Sequence, residues 1–141
     1  MKGLTIVVAG PFDKELSMIR AAAQSAGFRI QEVRTYREVM IQLCREKVLV
    51  ILCRRNLPDG SWEDVLSGSA THTARPRLIV VANEVDEQLC ADVLNLGGFD
   101  VLMPMFRAAD LCRAIESARR SWWDEVQQEA WRHPLGAATA G

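Results

Sequence analysis

The stretch Val48–Gly60 reads VLVILCRRNLPDG. Six apolar residues, Val48 to Cys53, run without a polar interruption and stop at Arg54-Arg55. A strand that faces water on one side alternates apolar with polar, so an unbroken run of this length predicts a strand covered on both faces. Outward from it, Leu4–Ala9 and Leu78–Ala82 repeat the pattern, and Phe28–Val33 and Phe99–Met103 give weaker versions.

Helical patterns fill the intervals. Asp13–Ala26 sets Leu16, Ile19, Ala23 and Ala26 on one face and ends at Gly27, a natural helix stop. Thr35 and Glu38 form a capping box opening a helix through Val39, Leu43 and Cys44. A short helix is expected over Trp62–Leu66. Asp86–Leu96 carries Leu89, Val93 and Leu96 and stops at Gly97-Gly98. A last helix starts near Ala108 and carries Leu111, Ile115, Ala118, Trp122 and Val126. Strands that alternate with helices make right-handed βαβ crossovers and an open, doubly wound α/β sheet. The ligand or chemistry of such a sheet lies beyond the carboxyl ends of its strands. Those ends are Ala9-Gly10, Cys53-Arg54, Ala82-Asn83 and Met103-Pro104.

The central stretch resembles the third strand and following loop of response-regulator receiver domains, which end that strand in a phospho-accepting Asp and follow it with Leu-Pro and a Gly. Gly97-Gly98-Phe99-Asp100-Val101-Leu102-Met103-Pro104 is similar to the family's Gly-Ala-x-Asp-x-φ-x-Lys-Pro segment, where φ is apolar. The likeness covers roughly residues 3–120. It implies a flavodoxin-like (βα)5 fold with five parallel strands in the order 2-1-3-4-5. It also divides the chain into a receiver-like part, 1–120, and a helical extension with a flexible tail, 121–141.

In the family an acidic pair after the first strand and the acceptor Asp bind Mg²⁺, a hard cation that takes oxygen ligands. A hydroxyl and a lysine hold the phosphoryl oxygens. Position by position, the acidic pair falls on Ala9 and Gly10, the acceptor on Cys53, the hydroxyl on Ala82 and the lysine on Met103. The rotamer-switch aromatic falls on Val101. Only Pro104, which in the family often follows a cis peptide, is kept. None of these side chains ligates Mg²⁺ or neutralises a phosphoryl group, so the resemblance predicts a degenerate receiver: no phospho-acceptor, no metal, no cofactor and no enzymatic activity. Asp13, Asp59 and Glu84 lie nearby in sequence, but recruiting Asp13 needs a three-residue shift that spoils the first strand. The expectation is a pocket filled by small apolar side chains.

Composition narrows the partners. Apolar residues make up 49% and charged residues 25% of 141, enough for one domain with a real core. Lys plus Arg is 17 against 18 for Asp plus Glu, which leaves no basic excess for nucleic acid or an anionic membrane. The six-residue apolar run is far short of a membrane span, which takes about 20. The chain start shows no signal-peptide pattern. Cys44, Cys53, Cys90 and Cys112 form no C-x-x-C, and His72 and His133 lie away from them, which excludes the usual zinc spacings and a secreted disulfide framework. The expected setting is the cytoplasm. Gly10-Pro11 lacks the companions of a phosphate loop.

Three functions follow. The first is a protein-interaction module in signalling, its partner held through the fourth helix, fifth strand and fifth helix. The surface residues expected there are Leu89, Val93, Val101, Leu111, Trp122, Trp123 and Val126, with a second copy of the chain as one candidate partner. The second is a redox sensor centred on Cys53, with Arg54 and Arg55 lowering the thiol pKa. The third is a small-ligand binder using the apolar pocket. Trp122, Trp123 and Trp131 put three of the four tryptophans within ten residues, and these rings either fold back on the domain or meet a partner. Leu135–Gly141, small and Gly/Ala-rich, is expected to be a disordered end.

Overall fold

Strand β1 (Leu4–Ala9) is buried at all six positions, and β3 (Lys47–Arg54) is buried from Val48 to Cys53. Both have helices on each side, as their unbroken apolar runs require. The structure, a computed structural model, describes residues 3–72 and 74–132. The expected flexible tail at Leu135–Gly141, and His133, lie outside the described residues.

The chain continues from β1 through α1 (Leu16–Ser25), β2 (Arg29–Val33) and α2 (Tyr36–Arg45) into β3. A small antiparallel hairpin follows, β4 (Asn56–Leu57) with β5 (Gly60–Ser61), before α3 (Trp62–Ser69). Then come β6 (Arg77–Val81), α4 (Glu87–Leu96), β7 (Asp100–Leu102) and α5 (Ala108–Arg132). The main sheet has five parallel strands in the order β2-β1-β3-β6-β7. The expected 2-1-3-4-5 order made no room for the hairpin. Pro58-Asp59 turns the chain tightly enough for two more strands to pair outside the sheet, and the last two sheet strands are renumbered accordingly.

Two apolar layers flank the sheet. On one side Ile6, Val8, Leu49 and Leu52 meet Ile19 of α1 and Leu111, Ile115 and Trp122 of α5. On the other Val7, Ile51, Cys53 and Val80 meet Val39 of α2, Val65 of α3, and Leu89 and Val93 of α4. Fully burying each Leu, Ile or Val contributes about 1.5–3 kcal/mol, so both layers carry the fold.

The caps differ from the expected pattern at one place. Thr35 Oγ1 accepts from the Glu38 N–H at 3.0 Å, but the Glu38 carboxylate accepts from Arg34 N–H, not from Thr35. Asp59, arriving from the hairpin turn, accepts from the Tyr36 and Arg37 N–H groups at 2.6 and 3.0 Å and completes the α2 N-terminus. A reciprocal capping box stands instead at Ser61 and Asp64, opening α3. Asp86 caps α4, and Gly97 ends it in the left-handed region at φ 106°, where a Cβ would be strained.

Helix α5 runs 25 residues without a break. Past residue 120 its Ser121, Trp122, Glu125 and Val126 still reach the body of the domain. Trp122 is 5% exposed and donates its indole N–H to Ala74 O at 2.9 Å. Arg77, at the start of β6, donates to Ser121 Oγ, Ser121 O and Glu125 Oε2 at 3.0–3.2 Å. Farther along the helix, Trp131 is 83% exposed.

Candidate functional site

The carboxyl ends of β1, β3 and β6 do converge, as a doubly wound sheet demands. Ala9 pairs in register with Cys53, and Cys53 with Val80. Ala9, Gly10, Cys53 and Ala82 are all buried, so the positions that would carry a phosphorylation site form a closed floor. Met103 is half-buried against the α2/α3/α4 layer, and Pro104 is half-buried beside it. Every peptide bond among the described residues is trans, Met103–Pro104 included.

A residue that sequence reasoning passed over closes this floor. Phe12 is 6% exposed and folds its ring back against Gly10. The Arg54 guanidinium lies over that ring, 4.3 Å from its centre, a cation–π contact. Arg54 Nε also donates to Pro11 O at 3.1 Å, and its Nη2 pairs with the Glu15 carboxylate. Phe12, Arg54 and Glu15 thus act as a latch across the end of β1. The aromatic residue two positions after Gly10 was the signal that could have revealed it.

Above the floor lies an open cleft of about 780 Å³. The small apolar side chains expected at the strand ends form its base, and its walls are largely polar. Asp13, Arg55, Glu63, Asn83, Glu84 and Asp92 line the cleft, and the apolar side chains at the strand ends lie mostly beneath it. Asp13 and Glu84 do face this space, whereas Asp59 is taken up in capping α2. Yet among the described residues no three Asp, Glu, His or Cys side chains converge to hold a metal ion. The cleft's basic residues are themselves engaged: Arg55 pairs with Asp86 at 2.9 Å, and Arg54 with Glu15. The Leu89 N–H bond holds the Asp86 carboxyl below the usual carboxylate value, burial opposes it, and Arg55 adds to the lowering. Burial draws the Asp59 carboxyl upward, but the N–H donors of Arg37 and Tyr36 together outweigh it and leave it lowered.

Cys53 does not behave as the redox reading expected. Its side chain is fully buried, its Sγ lies 3.0 Å from Arg54 O, and burial pushes the thiol up to about 12. Arg54 and Arg55 are drawn away to carboxylates, so neither lowers it. A reactive thiolate needs the opposite environment.

The expected partner surface also needs correction. Leu89, Val93, Leu111 and Trp122 are each at most 5% exposed and are spent on the chain's own core. They are the inner stripes of α4 and α5, which sequence periodicity marks without telling inner from outer partner. Val101 and Val126 are half-buried, and Trp123 is 41% exposed. The apolar residues that α4, β7 and their loops offer to solvent are Val85, Leu94, Leu96 and Met105, between 57% and 95% exposed. Met105 holds a left-handed φ of 66°, unusual without glycine, and this strain presents its side chain at the loop tip. No helix among the described residues is long and apolar enough to cross a membrane.

The comparisons with known proteins fall on this geometry. No family model matches the sequence, and no curated protein matches it. Solved structures do. The chain is similar to the signal receiver domain of an HD domain-containing protein from Pseudomonas fluorescens Pf-5, with TM-score 0.78 and 15% identity over 90% of this chain and 94% of that one. A CheY-like response regulator receiver domain from Methanospirillum hungatei JF-1 gives TM-score 0.68 at 16% identity, covering 89% of this chain and 98% of its own. Chemotaxis response regulator CheY4 of Vibrio cholerae gives 0.69 at 13%, covering 84% and 99%. At these identities the likeness is one of fold: the chain has the α/β architecture of receiver domains.

Proposed function

We propose that this chain, built on the receiver fold, is a signalling module that works by protein contact and neither accepts phosphate nor binds Mg²⁺ at the strand ends. The observation that carries the reading is the Phe12–Arg54–Glu15 latch over a floor of Ala9, Gly10 and Cys53. Phosphorylation adds close to −2 charge, which must be offset on the spot. Here the floor supplies neither carboxylate nor ammonium, and the guanidinium nearest to it is already neutralised by Glu15. No reaction is assigned to the chain, and a cytoplasmic setting fits the module.

Partner contact is assigned to the face of α4, β7 and α5. β7 is an edge strand, which leaves one side of its backbone unpaired by the sheet. Met105, Leu94 and Leu96 give the adjoining segments apolar anchors. A second copy of the chain is one occupant of this face, and a different signalling protein is the other.

The test is incubation of the protein with acetyl phosphate and Mg²⁺ followed by intact mass measurement. No gain of a phosphoryl group is expected. A stoichiometric gain that disappears in Cys53→Ala or Asp13→Asn would overturn the reading.

A further inference from the structure

A second cavity, of about 520 Å³, opens at the opposite end of the sheet, below the amino ends of β3 and β6. Both apolar layers of the domain reach it: Leu43 and Val48 from one, Trp122 and Val126 from the other. Pro76 adds to the wall from the segment that enters β6. Its size falls in the range of small-molecule sites, whose walls are mostly apolar with a few polar groups that fix orientation. Here those groups are charged. Arg45 and Lys47 line the cavity, and both are exposed. Among the described residues, neither side chain has an ion-pair or hydrogen-bond partner. The one carboxylate of the lining, Glu46, is 15% exposed and faces Arg29 at 3.5 Å. That charge is answered within the chain, which leaves the cavity two cations with no counterpart.

We propose that this cavity binds a small monocarboxylic acid, a carboxylate on a compact apolar body. The body lies against Leu43, Trp122 and Val126, where removal of apolar surface from water is favourable. The carboxylate stays at the rim, where Lys47 supplies a point charge and Arg45 a planar fork of donors. Arg45, in the last turn of α2, also complements the negative end of that helix, which keeps its charge near the rim. A carboxylate held at the rim keeps part of its hydration and escapes the cost of full burial. A cation of the same shape would meet two like charges there. A neutral analogue keeps the apolar contact and gains nothing at the rim. The site lies away from the strand-end cleft and does not depend on the signalling reading above.

The experiment follows the Trp122 indole N–H resonance of the full chain while phenylbutyrate, phenylbutylamine or phenylbutanol is added. The three share one apolar body and differ in charge. The indole N–H is bonded to Ala74 O, and both residues line the cavity. A saturable shift is expected with the acid, with the amine about tenfold weaker and the alcohol between them. Exposed Cys44 also lines the cavity, whereas Cys112 does not. The acid should therefore slow iodoacetamide alkylation of Cys44 and leave that of Cys112 unchanged. Arg45→Gln with Lys47→Gln alters only exposed side chains and leaves the core intact. That double variant should bind the acid about fivefold more weakly and the alcohol as before. The proposal is overturned by any of three results: no saturation with the acid, an amine that binds as tightly as the acid, or unchanged affinity for the acid in the double variant.

Discussion

A Cβ placed on Gly10 would stand 2.6 Å from Cδ2 of the Phe12 ring and 2.6 Å from the Phe12 backbone nitrogen. Neither distance is tolerable for a real methyl group, so the ring's seat and the missing side chain are one arrangement. Gly10 also donates its N–H to Val33 O at 3.0 Å, which ties the strand end to its neighbour and prevents escape by backbone shift.

Gly10→Ala is therefore expected to destabilise the domain by about 1–3 kcal/mol, the usual range for overpacking. Phe12→Ala in the same chain should recover little of it, because the backbone contact remains. Urea denaturation of the two single variants and the double variant measures this. Full recovery in the double variant would place the whole conflict in the ring.

Thiol chemistry gives a second prediction. Native protein treated with iodoacetamide should label the exposed Cys44 and Cys112 and leave the buried Cys53 unmodified until the chain unfolds. The linked effect on stability has a definite sign. With the thiol raised from 9.0 to about 12 in the fold, the native state holds its proton where the unfolded state releases it. The Cys53 contribution is present below pH about 9 and declines as pH rises toward about 12. Cys53→Ala should flatten that part of the stability–pH curve.

At low pH the relevant groups are the carboxyls of Asp59 and Asp86, both held below the usual 3.8 in the fold. Their stabilising effect is present above that value and is lost as pH falls through their lowered folded values. Carboxyl carbon shifts followed by acid titration should place both below an unperturbed Asp. In Asp59→Asn, exchange protection at the first turn of α2 should fall, because a neutral amide is a weaker partner for the two N–H groups it caps.

The tryptophans of α5 separate cleanly. Trp122→Ala should cost about 3–5 kcal/mol, as removal of a buried ring usually does. Trp131→Ala, at a position 83% exposed, should stay within about 0.5 kcal/mol of the parent. Thermal melts of the two variants decide it. A truncation after Arg120 should melt early for the first reason alone.

The fold was legible in the sequence because its signals are redundant. Val48–Cys53 could only be a doubly covered strand, and Asp86 and Gly97 bracket α4 by chemistry that works locally. What sequence could not give depends on contacts between distant segments. Asp59 reaches α2 across more than 20 positions, and its turn builds a hairpin that no apolar pattern announces. The missing charge at Ala9, Gly10 and Cys53 was readable, but not what took its place. Phe12 is a single aromatic residue in a loop, and Arg54 looked like a free cation until Glu15 was brought beside it. The same limit holds for α4 and α5, where a stripe shows that a face is buried but not against what.

The latch also sets how this protein can change over generations. Cys53→Asp alone would bury a carboxylate with no cation, at a cost of several kcal/mol, on the order of the whole stability of a small domain. Gly10→Asp alone would collide with Phe12, and loss of Phe12 alone would strip Arg54 of its stacking face. Each single step toward a metal-binding pocket therefore costs folding stability by itself. A metal-binding pocket at these strand ends thus requires Gly10, Phe12 and Cys53 to change together.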